Sequence, residues 1–276
     1  MILIHLIFGD EQMTTPIDVF IPAIEKDLAT LPHVIDAVRK YVQHPIHEII
    51  IVAPRKQRIV DLCTKKGCRF VNEDTVLPIT KKDIHYQSKT WDRSGWLYQQ
   101  LLKLGGDKVC SSKYYLVIDA DTVLIRPHTF KTGDKTVFYC RNWSQPEYFN
   151  TYKKLMGKSR ASKRSFVTHY MLFEKAKVKQ LKLAIEAKHH TSWYSAIMRS
   201  MNKSKQFAFS EFETYGNFLY SSEPGRMVLK QANNKSLHTS FSQISPSKMS
   251  SLQQKYRSVS FHERKGYSKS SKVKSK

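Results

Sequence analysis

No stretch of this 276-residue chain is apolar for long enough to cross a membrane as a helix. Acids are scarce: 23 Asp and Glu stand against 46 Lys and Arg, a formal charge of +23. That excess implies an anionic partner, whether nucleic acid, an anionic membrane surface or a phosphorylated small molecule. Cysteine is sparse too. Cys63, Cys68, Cys110 and Cys140 have no zinc spacing, since no second Cys or His pair follows the first at ligand distance. They read as buried or free thiols of a reducing compartment, consistent with a cytoplasmic protein touching membranes only at their surface. The apolar run 2–8 is short, is broken by His5 and has no basic stretch before it. No signal peptide is expected there. There is no internal repeat, and no helix-turn-helix, zinc-finger or RNP-type run marks a nucleic-acid module.

Enough apolar (41%) and aromatic (12%) residues remain to build a sizeable core. The basic excess is concentrated. Between Lys153 and Lys182 there are ten Lys or Arg and one acid, Glu174. The last segment, 266–276, carries Lys and Ser without any acid and is expected to be a disordered tail.

The element with most chemical content is Tyr114-Tyr115-Leu116-Val117-Ile118-Asp119-Ala120-Asp121. A short apolar run of this kind fits a strand buried on both faces of a parallel sheet. Two unpaired carboxylates inside such a strand would be too costly to desolvate, so Asp119 and Asp121 belong where the strand leaves the sheet. Ligands of open α/β sheets bind at that end. Two carboxylates one residue apart can hold a hard divalent cation, which in turn can hold phosphates. The competing reading is a loop whose acids cap a turn.

Upstream, the pattern predicts strands at 17–21, 48–53 and 68–71, with helices from Asp27 to about Tyr41 and from about Arg55 to Lys65. These are βαβ units on a parallel sheet. A helix is expected from Trp91, ended by Gly105-Gly106. Its Leu97, Leu101 and Leu104 form one seam. Trp96, Gln99, Gln100 and Lys103 form a second stripe, either a polar pocket wall or an ordinary solvated face. Downstream, 136–140 and 166–173 read as strands and 146–156, 174–187 and 192–201 as helices.

In order and spacing the chain resembles a GT-A-fold glycosyltransferase. The resemblance rests on Phe20-Ile21-Pro22-Ala23 with Lys26-Asp27, on Trp96 to Lys103, on Asp119-Ala120-Asp121, and on Ser210-Glu211-Phe212-Glu213-Thr214-Tyr215-Gly216-Asn217. These motifs are similar to those of a bacterial and viral branch of that superfamily, across residues 17 to about 262. The resemblance implies an α/β fold with a central, mostly parallel sheet flanked by helices. A single catalytic domain would cover 1–265, with a nucleotide-binding half (17–124) and an acceptor-side half (125–265).

The resemblance also implies that Asp119 and Asp121 bind Mn²⁺ or Mg²⁺ bridging the diphosphate of a nucleotide-sugar donor, with Ala120 between them. His262 would be a third metal ligand, or else a structural histidine. Pro22, Ala23, Lys26 and Asp27 would contact the nucleotide, and Arg93, Gln99, Lys103, Arg264 and Lys265 would add donors. Glu211 is the first candidate for activating the acceptor hydroxyl, because Glu213 has an alternative occupation in the Ser210-x-x-Glu213 capping box. His169 either faces the acceptor or is a hydrogen-bonded core histidine. The acceptor would be a glycan, a lipid-linked or another hydroxyl compound, with an anionic membrane surface as a further partner. Two alternatives remain at this point. One is a basic nucleic-acid-binding protein. The other is a nucleotidyl- or phosphotransferase, against which the glycine-free loop 22–26 argues.

Overall fold

The computed structural model describes residues 15–143 and 145–262. In chain order the strands and helices begin with β1 (Ile17–Pro22), α1 (Leu31–Tyr41), β2 (Ile46–Ala53), α2 (Gln57–Lys65), β3 (Arg69–Asn72) and α3 (Ser94–Val109). Then follow β4 (Tyr114–Ile118), β5 (Thr122–Leu124), β6 (Lys131–Thr132), β7 (Lys135–Cys140), α4 (Pro146–Met156) and β8 (Tyr170–Glu174). The chain continues with α5 (Lys175–His189), α6 (Trp193–Ser200), α7 (Glu211–Ser222), β9 (Met227–Gln231), β10 (Asn234–Leu237), α8 (Pro246–Lys255) and β11 (Ser258–Phe261).

The central sheet has the order β3-β2-β1-β4-β8. Its first four strands are parallel, and β8 runs antiparallel to β4. The expected central, mostly parallel sheet flanked by helices is therefore what the chain forms. Alternation along the strands divides the core in two. Phe20, Ile50, Val52, Tyr115 and Val117 pack with Leu97 and Leu101 of α3 and with residues of α5 to α7. Val19, Ile21, Ile49, Ile51, Leu116 and Ile118 pack with Val34 and Val38 of α1 and Ile59 of α2. Burying one such side chain contributes on the order of 1.5–3 kcal/mol, so the sheet is a stiff base for the loops at its carboxyl end.

Just past Asp121 the chain re-enters a smaller sheet, β10-β11-β5. β11 runs antiparallel to β5, with Ser260 opposite Thr122, and Phe261 N–H donates to the Asp121 carbonyl at 2.9 Å. This late strand carries His262 back to the loop that follows β4.

Three local expectations change. Gly105 and Gly106 do not end α3, which runs on to Val109. They sit where the helix presses on its neighbours. A Cβ on Gly105 would meet Val76 at 2.8 Å, and one on Gly106 would meet Tyr115 at 2.6 Å. Asp27 does not cap α1 either. Its carboxylate accepts the Ile24 N–H at 2.9 Å around a 3-10 turn over 25–29, and α1 starts at Leu31 with Pro32 in its first turn, where a missing N–H has no cost. Finally, β8 starts at Tyr170 rather than Phe166, because 166–169 form an irregular approach ending in His169 at φ +71°.

Candidate active site

The geometry begins where β4 ends. Asp119 N–H donates to the His169 carbonyl and Thr122 N–H to the Asp119 carbonyl, so Asp119-Ala120-Asp121 makes a turn. Asp119 Oδ1 accepts from Lys103 Nζ at 2.6 Å, and Oδ2 lies 3.0 Å from His169 Nδ1. Asp121 Oδ2 lies 3.1 Å from His262 Nδ1, and its Oδ1 accepts from the Thr122 hydroxyl. The two imidazole rings are 5.3 Å apart. Each carboxylate of the pair thus has its own histidine, one from the entry to β8 and one from the end of β11.

Behind them lies a buried ion cluster. Lys103, whose side chain is 4% exposed, also donates to Glu211 Oε1 at 2.8 Å and sits over the Phe212 ring. Burial works against the ammonium, but Asp119 and Glu211 outweigh it and hold Lys103 above its ordinary pKa. Burial would likewise raise Asp119, but Lys103 and His169 hold its carboxyl well below the usual carboxylate range. Glu211 goes the other way. Its burial wins over Lys103 and raises it, and its Oε2 is buried without a hydrogen-bond partner among the described residues. Asp27 is pushed up to about 6, mainly by burial and additionally by the charges of Asp121 and Asp119.

These groups open on a cavity of about 770 Å³. Pro22, Lys26, Asp27, Asp119, Ala120, Asp121, His169 and His262 all line it. The second stripe of α3 lines it as well, through Trp96, Gln99, Gln100 and Lys103, as does Arg93 just before the helix. The arrangement brings a loop after β1, one face of α3, the turn after β4 and the end of β11 around one space.

Other candidate residues are not brought to it. Ala23 is buried and donates its N–H to the Val52 carbonyl. Glu211 is fully buried under Lys103 and is absent from the cavity wall, so it reaches the site through Lys103 rather than by facing it. Glu213 lies elsewhere. Ser210 caps α7 as expected, by accepting the Glu213 N–H, but the Glu213 carboxylate accepts from Ser165 Oγ, Phe166 N–H and Asn217 Nδ2. It ties α7 to the irregular segment before β8. Arg264 and Lys265 lie outside the described residues.

Sequence reasoning passed over several wall residues: Arg141, Trp143 and Tyr148 around the start of α4, and Phe207, against which Arg93 stacks at 4.2 Å. Arg141 directly follows strand β7, as Asp119 follows β4, and that position was the available signal.

Among the described residues, the acidic-histidine group whose ligand atoms lie within 4.8 Å of one another is a different one: Asp18, His47 and Glu48. It sits at the amino ends of β1 and β2, and its oxygens are engaged. Asp18 accepts from Ser111 N–H, Ser112 N–H and Ser112 Oγ, and Glu48 is held by two nitrogens of Arg69. That cluster clasps the strand starts together.

A family model described as a family of unknown function (DUF6492) matches residues 18–267. No curated protein is a significant match. Among solved structures the chain is similar to the apo form of mouse xyloside xylosyltransferase 1, at 11% identity and a TM-score of 0.48, over 89% of this chain and 97% of that one. It is similar to the galactosyltransferase LgtC in complex with donor and acceptor sugar analogues, at 12% identity and a TM-score of 0.44, over 89% and 87% of the two chains. It is also similar to the bifunctional glycosyltransferase WbbM, at 12% identity and a TM-score of 0.42, over 94% of this chain and 47% of that one.

Proposed function

The chain belongs to DUF6492, a family of unknown function, and we propose that it is a metal-dependent glycosyltransferase moving a sugar from a nucleotide-diphosphate donor to an acceptor hydroxyl. The observation that carries this reading is the pairing of Asp119 and Asp121 with His169 and His262 at the carboxyl end of β4, on the wall of a cavity large enough for a nucleotide sugar.

The donor set fits a divalent cation. The fit lies in the chemistry of the donors: two carboxylates and an imidazole, Asp119, Asp121 and His262, line one wall of the cavity, and the donor diphosphate would complete the ligand set. Two carboxylates with an imidazole suit Mn²⁺ at least as well as Mg²⁺, since nitrogen ligation favours the former. Asp119, Asp121 and His262 would hold the ion, and the ion would supply charge neutralisation for the departing diphosphate.

The chain's own residues account for the rest. Lys103 fixes the Asp119 carboxylate in one orientation and keeps it ionised. Glu211 keeps Lys103 in place from below. Lys26 and Arg93 add positive charge to the wall that would receive a diphosphate, while Gln99 and Gln100 offer hydrogen-bond groups to a sugar. Asp27 is the cavity-side carboxyl whose pKa of about 6 suits proton exchange near neutral pH.

The test is a screen of nucleotide sugars for Mn²⁺-dependent donor hydrolysis. Activity with one donor should fall at least a hundredfold in Asp119→Asn and Asp121→Asn, with the circular dichroism spectrum unchanged. Wild-type turnover in either variant sinks the proposal.

A further inference from the structure

The part of the cavity wall contributed by residues 141–212 differs in charge from the rest. The lining acids, Asp27, Asp119 and Asp121, all come from the loops after β1 and β4. None of the wall residues between Arg141 and Phe212 is acidic. Arg141 is anchored there through its backbone, which exchanges two hydrogen bonds with Ser165 at 3.0 and 2.9 Å. Its guanidinium stacks over the Trp143 ring at 4.5 Å, and Trp143 is 49% exposed. Its Nε is buried and has no acceptor among the described residues, and no carboxylate there forms an ion pair with it.

A half-buried guanidinium without a carboxylate partner is costly, and burial lowers its pKa accordingly. Glu213 attracts it through space, but both Glu213 oxygens are already engaged by Ser165, Phe166 and Asn217. Tyr148, 5% exposed, lines the same wall; burial and the charge of Glu211 push its hydroxyl pKa up, against the opposing fields of Arg141 and Arg93. Arg93 lines the same cavity, and Arg141 presents a planar fork with no carboxylate partner among the described residues, on a stretch of wall without acids, which suits the oxygens of a doubly charged phosphate.

We infer that Arg141, with Trp143 and Tyr148 beside it, is a subsite for the phosphate of a phosphorylated acceptor. The hydroxyl that receives the sugar then belongs to a phosphate ester, soluble or carried on a lipid. Calling this ligand an acceptor rests on the transferase reading; the anion site itself does not.

The experiment titrates phenyl phosphate and neutral phenyl β-glucoside into the full chain in EDTA, and UDP and GDP into it in Mn²⁺. Wild-type protein should bind phenyl phosphate more tightly than the glucoside. Arg141→Gln should lose at least tenfold of that affinity, and Tyr148→Phe a smaller part. Nucleotide binding in Mn²⁺ should persist in both variants. Should Arg141→Gln not fold, Arg141→Lys keeps the charge without the planar fork and should still lose several-fold.

Equal phenyl phosphate affinity in wild type and variants overturns the inference. So does a parallel loss of nucleotide binding, which would assign Arg141 to the donor diphosphate. Arg141-dependent phenyl phosphate binding without any nucleotide binding keeps the anion site and removes the transferase reading. Co-sedimentation with phosphatidate vesicles, lost in Arg141→Gln, points to a lipid-borne phosphate. Its absence beside intact phenyl phosphate binding points to a soluble one.

Discussion

His169 is a non-glycine residue held at φ +71°, in the left-handed region, with its imidazole on Asp119. For an L-residue that conformation costs roughly 1–2 kcal/mol. The charge-assisted contact to Asp119 returns about 1.5–3 kcal/mol, so the side chain and the backbone oppose each other at this position. Two substitutions separate them. His169→Ala removes the contact and keeps the strain, and should destabilise the protein by about 1.5–3 kcal/mol. His169→Gly removes the contact and the strain together. Glycine also raises the entropy of the unfolded chain, which takes back roughly 0.4–1 kcal/mol. The glycine variant should therefore be more stable than the alanine variant by about 0.5–1 kcal/mol, a Tm difference of roughly 1–4 °C in a chain of this size. Both should lose donor hydrolysis alike. Urea denaturation and a melting curve on the two variants decide it. Alanine as stable as glycine would mean that the backbone is not strained. Full hydrolysis in the glycine variant would mean that the imidazole serves the fold alone.

Two further predictions concern the charges around the cavity. Asp27 has a folded pKa of about 6 against an ordinary 3.8, so the folded state favours its protonated form. Stability should fall as pH rises from about 4 through 6, by up to roughly 2–3 kcal/mol, and Asp27→Asn should flatten that slope in urea titrations at several pH values; an identical slope in the variant would refute it. Lys103→Met leaves Glu211 buried without its cation and should cost about 3–5 kcal/mol, while Lys103→Met with Glu211→Gln should regain much of the loss. A double variant no more stable than the single one would contradict the pairing.

The parts of the site that lie on a strand end or one helix face were legible in the chain. The run 114–121 reads as a buried strand leaving the sheet at two acids, because desolvating them inside it would cost too much, with a turn capped by the acids as the competing reading. Trp96, Gln99, Gln100 and Lys103 follow helical spacing, and all four reach the cavity. Contacts across long separations were not legible. Nothing local ties Lys103 to Glu211, 108 residues on, or marks Arg141 as a cation without a carboxylate. Gly105-Gly106 looked like a helix end because its cause, close approach to Val76 and Tyr115, exists only in the packed molecule. His262 stood out only through a resemblance, since its place beside Asp121 depends on β11 pairing with β5.

The central claim is that Asp119 and Asp121 hold a divalent ion together with a nucleotide diphosphate. Mn²⁺ binding followed by electron paramagnetic resonance, with and without UDP or GDP, tests it most directly. The account predicts weak Mn²⁺ binding alone, at least tenfold tighter binding with one nucleotide, and loss of that gain in Asp121→Asn. Nucleotide binding that is indifferent to EDTA and to Asp121→Asn would contradict it.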